Sequence, residues 1–318
     1  MFKRHALRFL PAVRLLPAVR FLPVVRFLPA VRLLPGVLPT GVLHTGVLST
    51  GVRLLTGVLF RTGIRLLGGA ALALGLLSTV AQAENAQDIV AAADKVRNPG
   101  QPFRSTDTLT EYVGGKPRAE DVLIVYSKVD PASGQFRNLV RYVQPPRDEG
   151  KMVLLDGHIL WFYDPSSKTS VRISAQQRLI GQASIGEVLT VNLAIDYTGT
   201  LAGTETIQDA ERKDRVCWHL DLKAANDQAA YARVEYWVEQ GTYRPVKMKF
   251  YSDSGRLLKI LYYRGLEERL GARRPTEAVI IDAVDTSLAT TMKFGDQRFV
   301  DVPEEWFQRD YLPRLRSE

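Results

Sequence analysis

Residues 143–174 constrain the fold most strongly, because they contain three short apolar segments separated by two tight turns. The pattern predicts strands at 151–155, 159–163 and 169–173. Asp156-Gly157 favours a hairpin turn, since glycine tolerates positive φ and aspartate bonds its own backbone. Asp164-Pro165-Ser166-Ser167 is typical of a second turn.

The middle strand of this meander is apolar on both faces. Ile159, Trp161 and Tyr163 alternate with Leu160 and Phe162. A sheet with one face in water would alternate apolar with polar residues. This strand is therefore covered on both sides, either as plain core or as the wall of an apolar ligand site.

The first 83 residues predict a leader outside the fold. Residues 8–37 repeat a six-residue unit with one proline each, which is incompatible with a continuous helix or a central strand. We interpret this repeat as low-complexity sequence, an extension upstream of the true translation start.

Residues 61–83 predict a secretory signal peptide. Arg61 and Arg65 precede twelve largely apolar residues at 66–77, which are too few to span a bilayer, and Ala81-Gln82-Ala83 fits a cleavage site. We expect cleavage after Ala83 and a periplasmic protein. An uncleaved anchor is the alternative; without a cysteine near this site, the sequence gives no support for a lipid anchor.

Charge changes once the leader is set aside. Ten of the 42 basic residues and none of the 34 acidic residues precede Glu84, so the mature chain has 32 basic residues against 34 acidic ones. Nucleic-acid binding requires an excess of positive charge, which the mature chain lacks. We therefore expect no nucleic-acid partner. The single cysteine, Cys217, excludes an intrachain disulfide.

Residues 84–318 predict one domain of mainly β structure. It opens with a helix at 85–97, on which Ile89, Ala93 and Val96 share a face. Apolar runs then recur every 10–15 residues, as in an antiparallel barrel or sandwich. Thirteen candidate strands are present, of which we expect eleven or twelve to be real. Besides the meander they are 104–113, 121–129, 135–143, 204–207, 215–222, 231–238, 245–251, 256–263, 277–284 and 290–294.

Two further segments predict helices. At 175–197, four apolar residues share a helical face and Ser184-x-x-Glu187 resembles a capping box. We expect a helical lid over an opening in the sheet; a connection that plugs the core is the alternative. A terminal helix is predicted from Asp301, with Asp301 as N-cap and Pro303 in its first turn.

Catalytic signatures are weak. His158 lies in a predicted turn, and Cys217 and His219 share a strand face without a third partner, which favours packing over nucleophilic catalysis. No zinc-protease, CxxC, GxSxG or phosphate-loop pattern occurs. We expect no catalytic residue, no metal and no cofactor.

The order of motifs from Gln144 resembles the outer-membrane lipoprotein-sorting family with the LolA/LolB-like fold. That family shows P-x-x-x-x-G, an apolar strand, W-x-Y-x-P and a basic turn. A later Y-W-V, Y-R-P-V-K and F-Y-S-D-S-G series at 236–255 is similar to a second family segment, and so is the ending at 306–312, whereas Glu239 and 270–275 depart from it. The first series is matched by Pro145, Gly150, Leu154, Trp161, Tyr163, Pro165 and Lys168.

The resemblance implies a half-open antiparallel β-barrel with helices on its concave face. It also implies a carrier of acylated lipoprotein or lipid cargo, working beside an inner-membrane transporter of the resistance-nodulation-division type. A lipid- or protein-sensing regulatory module and a periplasmic hydrolase are the alternatives. We expect the acyl groove to be lined by Leu123, Val125, Leu139, Leu154, Leu160, Phe162, Ile185 and Leu189.

Overall fold

The computed structural model describes residues 85–157, 159–226 and 229–315. The predicted leader, the signal peptide with its cleavage site after Ala83, and His158 lie outside these residues. The domain boundary at residue 84 therefore stays a prediction.

Helix α1 spans Ala86–Arg97, within the predicted helix at 85–97, and Asn85 is its N-cap. The side chain of Asn85 accepts a hydrogen bond from the amide of Gln87, which satisfies one of the unpaired donors of the first turn. Ile89 and Ala93 are fully buried. The apolar side of α1 thus packs on the sheet.

Fifteen strands and two further short helices follow α1 in the described part of the chain. They are β1 Phe103–Val113, β2 Lys116–Val129, β3 Phe136–Gln144, β4 Met152–Asp156, β5 Ile159–Asp164, β6 Thr169–Ile173, β7 Arg178–Ile180, β8 Ala183–Ser184, α2 Ile185–Val188, α3 Leu193–Asp196, β9 Tyr197–Gln208, β10 Asp214–Ala224, β11 Arg233–Glu239, β12 Pro245–Tyr251, β13 Leu257–Arg269, β14 Ala272–Asp282 and β15 Leu288–Phe299. Short 3-10 segments lie at Pro146–Asp148, Glu304–Phe307 and Arg309–Arg314.

Thirteen of these strands form one antiparallel sheet in the order β6-β5-β4-β3-β2-β1-β15-β14-β13-β12-β11-β10-β9, and β7 pairs with β8. The pairing of β1 with β15 joins the two ends of the chain in the middle of the sheet. The sheet does not close, which confirms the predicted half-open antiparallel architecture. Each of the thirteen candidate strands overlaps one sheet strand, so the expected eleven or twelve was too low.

We call the two faces of the sheet inner and outer; the outer face is covered over β2–β5. The inner face carries α1, α2, α3 and the β7–β8 hairpin, and its buried cluster includes Ile89, Leu123 and Ile185. The outer face carries the C-terminal 3-10 segments, whose Phe307 and Leu312 are buried against β2–β5. The meander is therefore covered on both sides, as its apolar faces predict.

The segment 175–197 departs from the predicted helix. It forms the β7–β8 hairpin and two helices of four residues each. The amide of Thr190 donates to the Asn138 side chain at 3.0 Å and that of Asn192 to the Gln135 side chain at 2.7 Å. Because these donors are taken by tertiary partners, the α-helical hydrogen bonds cannot continue between α2 and α3.

The predicted terminal helix was also wrong in kind. The chain forms 3-10 turns, the first of which begins at Glu304 after Pro303, so Asp301 is not its N-cap. Val302, Phe307 and Leu312 are the buried residues that cover the sheet. Their five-residue spacing does not match one face of an α-helix with 3.6 residues per turn.

Candidate functional site

A cavity of about 290 Å³ lies under the inner-face helices. We call it the apolar cavity because apolar side chains line it from the sheet, although Arg97, Glu187 and Asp196 also line it. Leu160 on β5 and Leu261 on β13 both line it, although β5 and β13 are seven places apart in the sheet. In a flat sheet that separation would be roughly 30 Å, since neighbouring strands lie about 4.8 Å apart. The sheet must therefore curve around this space. The cavity is lined from the sheet side chiefly by Leu155, Leu160, Ile173, Met248, Phe250 and Leu261.

Small residues line the cavity on its covered side. Gly186 in α2 faces the loop residues Ala175 and Ala230, and a Cβ at Gly186 would lie 2.9 Å from the Cβ of Ala230. A larger side chain at position 186 would thus be forced against its neighbours. The small residues at these three positions leave space in the cavity beneath them.

Six of the eight predicted groove residues lie on the inner face. Leu160 and Leu189 line the apolar cavity, while Val125 and Leu189 line a smaller space of about 80 Å³. The remaining three belong to the inner-face cluster or pack against it without lining the apolar cavity: they are Leu123, Phe162 and Ile185.

The other two predicted groove residues, Leu139 and Leu154, lie on the outer face. Leu139 pairs with Leu154, and Leu154 pairs with Trp161 in the hairpin. Cross-strand partners share a face of the sheet. Both leucines are therefore buried beneath the C-terminal segment with Phe307, and they do not lie with the other six.

Sequence reasoning missed the contribution of β12 and β13. Met248 and Phe250 alternate with Lys247 and Lys249, a period-two pattern that marks one apolar face. That alternation was available in the sequence. The closeness of β13 to β5 was not, because it depends on the curvature of the whole sheet.

A buried polar cluster lies beside the apolar cavity. Lys259 Nζ donates to Glu187 Oε2, Ser184 Oγ and the carbonyl of Gln182, each at 2.9 Å. The Glu187 and Lys259 side chains are only 3% and 9% exposed. Tyr231 donates a hydrogen bond from its hydroxyl group to Glu187. The pKa of Tyr231 is raised above its ordinary value, mainly by burial and secondly by the charge of the Glu187 carboxylate. Each charge is compensated, as burial requires, and α2 is tied to β13.

A second set of polar contacts ties α1 to the cover. Arg97 donates to the carbonyl of Val191 at 2.7 Å and to Tyr263 Oη at 3.2 Å, and it pairs with Asp94. Asp94 Oδ2 accepts from the amide of Ala194 in α3 at 2.9 Å. Burial raises the pKa of Asp94 to about 6, against the opposing effect of Arg97.

Cys217 and His219 occupy ordinary packing positions. Cys217 is fully buried with Trp237 and Val246, and burial raises the pKa of its thiol to about 12. The thiol is therefore protonated at neutral pH and is a poor nucleophile. His219 stacks on Trp237 with ring centroids 4.3 Å apart, and its Nδ1 lies 3.2 Å from Glu205.

Two searches of the described residues bear on other site types. No group of three or more His, Cys, Asp or Glu residues among them is arranged to hold a metal ion. None of the helices in these ranges is long and apolar enough to cross a membrane.

Comparisons with known proteins place this chain in a family. A family model described as an uncharacterized protein matches residues 134–314. A LolA superfamily protein from Nitrosomonas europaea is 30% identical, with a TM-score of 0.65 over 72% of this chain and 100% of that one. No curated protein matches.

Two further structures share the fold at lower identity. A putative outer membrane lipoprotein-sorting protein domain from Vibrio parahaemolyticus is 17% identical, with a TM-score of 0.61 over 72% of this chain and 98% of that one. A DUF1329 family protein from Desulfovibrio piger is 20% identical, with a TM-score of 0.61 over 71% and 97%. With the curved sheet, its covered cavity and the Nitrosomonas relative, this chain belongs to the LolA superfamily, as its motifs indicated.

Proposed function

We propose that this protein is a periplasmic carrier that shelters an acyl chain of a lipoprotein or lipid during transfer between membranes. The observation that carries the proposal is the apolar cavity of about 290 Å³ beneath the inner-face helices. Each CH₂ kept from water is worth about 0.8 kcal/mol, so one long chain needs roughly 10 kcal/mol of shelter. The apolar side chains that line this cavity from the sheet supply that shelter in a protein that moves through water.

The short helices that cover the cavity support the carrier proposal, because they depend on tertiary contacts to stay in place. Helices α2 and α3 have four residues each, too few to be stable without tertiary contacts. They are held by the Glu187–Lys259 pair and by the bonds of Asp94 and Arg97. Besides these polar contacts, the cover is held by buried side chains such as Ile185 and Leu193. A cover made of two one-turn helices suits a protein that must load and release its cargo.

The proposal assigns the acyl site to the inner face and excludes the outer one. Leu160 and Leu189 contact the chain, and Leu123, Val125, Phe162 and Ile185 support them within the same cluster. Export by the predicted signal peptide, a non-enzymatic role and cooperation with an inner-membrane transporter of the resistance-nodulation-division type are parts of this proposal that follow from the family resemblance.

Native mass spectrometry of the full chain, expressed and purified without detergent, tests the carrier role. We expect adducts with the masses of phospholipid or acylated lipid. An empty protein that also fails to take up a fluorescent fatty acid would contradict the carrier and favour the regulatory module.

Two substitutions, one on each face of the sheet, test whether the acyl chain lies on the inner face. Leu160→Asn should reduce uptake of the fluorescent fatty acid, whereas Leu154→Asn on the outer face should leave uptake per folded molecule unchanged. Circular dichroism checks that both variants are folded. Equal loss in both would contradict the inner-face assignment.

A further inference from the structure

An open cavity of about 390 Å³ adjoins the apolar one, and charged side chains are among those that line it. We call it the polar mouth and define it by Arg178, Arg256, Lys259, Ser184 and Asp282. Tyr231 and Gln176 line both cavities. The polar mouth and the apolar cavity are therefore neighbouring spaces, which meet at these two side chains.

Strand β13 runs from one space to the other. Lys259 lines the polar mouth, and Leu261 and Tyr263 line the apolar cavity. These alternate residues share one face of the strand, and positions two apart lie about 6.7 Å from each other. An amphiphile lying along β13 would pass from apolar to charged surroundings within that distance.

The charges at the polar mouth leave two guanidinium groups available. Arg178 and Arg256 are exposed, and neither forms an ion pair with any described residue. All three protons of the Lys259 ammonium are used within the protein. Asp282 Oδ1 accepts from the amides of Val284 and Asp285 at 2.8 and 2.9 Å. The polar mouth thus contains two guanidinium groups without an ion-pair partner, while its carboxylate, Asp282, accepts hydrogen bonds from backbone amides of a turn.

From this arrangement we propose that Arg178 and Arg256 bind the phosphate of an anionic lipid headgroup whose acyl chain lies in the apolar cavity. The inference rests on the proposed carrier function and specifies its cargo as a phosphate-bearing lipid. Guanidinium forks match phosphate oxygens in bidentate geometry, which makes arginine the preferred side chain for this group. Lys259 and Glu187 form the fixed partition between headgroup and chain.

Two lipids with identical acyl chains test the proposal, since they differ only in the headgroup. Dioleoyl phosphatidylglycerol and dioleoylglycerol are titrated against the full chain, purified without detergent, with displacement of a fluorescent fatty acid as readout. We expect the phosphate-bearing lipid to bind more tightly. Arg178→Ser with Arg256→Ser should weaken its binding by about tenfold and leave dioleoylglycerol unaffected, as expected for two exposed charge contacts.

A matched variant controls for overall charge. Arg118 and Arg298 are exposed, line none of the cavities described here and form no ion pair with a described residue. Arg118→Ser with Arg298→Ser removes the same net charge and should leave both affinities unchanged. An equal loss of phosphatidylglycerol binding in both double variants would overturn the assignment of the phosphate to the polar mouth.

Further outcomes separate this inference from the carrier role. Equal binding of both lipids, unchanged in the Arg178/Arg256 variant, would overturn the headgroup site and leave the carrier standing. Binding of neither lipid would overturn both. Inorganic phosphate that binds the protein as tightly as the lipid does, measured by calorimetry, would show that a free anion rather than a headgroup occupies the mouth.

Discussion

Over β2–β5 both faces of the sheet are apolar and covered, yet the two faces are filled differently. On the outer face, Phe307 and Leu312 are at most 1% exposed, and no residue of their cluster lines any cavity described above. On the inner face, two one-turn helices leave about 290 Å³ empty. Burial by itself therefore does not separate a core from a ligand site.

The difference lies in the size of the residues that cover each face. The outer cover inserts large side chains, Phe307 and Leu312, between those of the sheet. The inner cover places Gly186, Ala175 and Ala230 over the cavity. Protein cores are close-packed and leave few voids larger than water, so an unfilled space under small residues distinguishes the inner face from an ordinary core.

The largest effect is expected for the outer cover. Phe307→Ala removes a fully buried ring and should lower the free energy of unfolding by about 3–5 kcal/mol, the usual cost of Phe→Ala in a core. Urea denaturation measures this. Lipid uptake per folded molecule should not change, and a loss of uptake in folded Phe307→Ala protein would break the separation of the two faces.

The second-largest effect is expected for a buried carboxyl group on the inner face. Asp107 is 3% exposed and lines the space of about 80 Å³, with Ser105 donating to it. Burial raises the pKa of Asp107 from 3.8 to about 7, although the Ser105 hydrogen bond opposes this. Because the pKa of the folded state is the higher one, the neutral group favours folding below pH 4, and that contribution is lost as the pH rises through 7.

Asp107→Asn should remove the loss of folding stability that the titration of Asp107 causes as the pH rises. The variant should unfold at about the same free energy as the parent at pH 4 and should be more stable by about 2–4 kcal/mol at pH 8. Urea denaturation across this range measures the difference. Asp94 and Asp121 also have raised pKa values of about 6, but they are common to both proteins. A constant difference at all pH values would contradict the assigned titration.

Filling the inner cavity should have a smaller and more selective effect. Ala175→Trp places a large ring where the cavity has room, so the free energy of unfolding should change by less than about 1 kcal/mol, whereas overpacking a full core costs about 1–3 kcal/mol. Fatty-acid affinity should fall by about tenfold. Ala119→Trp, at an exposed position of β2, is the matched control. Unchanged affinity in Ala175→Trp would mean that the acyl chain lies elsewhere.

Sequence predicted the strands well because alternation and turns are local signals. Thr169–Ile173 and Pro245–Tyr251 were placed with their observed bounds. The helical segment at 175–197 failed because the Thr190 and Asn192 amides bond to side chains on β3 and just before it. Those partners lie 52 and 57 residues away in the chain, beyond the reach of any local pattern.

Six of the eight predicted groove residues lie on the inner face, and the misplacement of Leu139 and Leu154 is instructive. Alternation correctly separated Leu160 and Phe162 from Trp161 and Tyr163. Leu154 was grouped with Leu160, but the hairpin pairs Asp156 with Ile159 and thus Leu155 with Leu160. A shift of one residue in the register exchanges the two faces. The predicted bounds left three residues, 156–158, between the two strands, which would pair Leu154 with Leu160. The observed pairing of Asp156 with Ile159 leaves two residues, so Leu154 lies on the other face.

The smallest expected effect concerns what holds the outer cover in place besides apolar contact. The guanidinium carbon of Arg309 lies 4.9 Å from the centre of the Trp161 ring, with Arg172 at 5.3 Å, also within cation–π range of the ring. Arg309 is 47% exposed, so Arg309→Gln should cost only about 0.5 kcal/mol of unfolding free energy. A double-mutant cycle with Trp161→Leu should give a coupling of that size. No coupling would mean that Phe307 and Leu312 alone fix the cover, whereas coupling above about 2 kcal/mol would make the outer cover as dependent on charged contacts as the inner one.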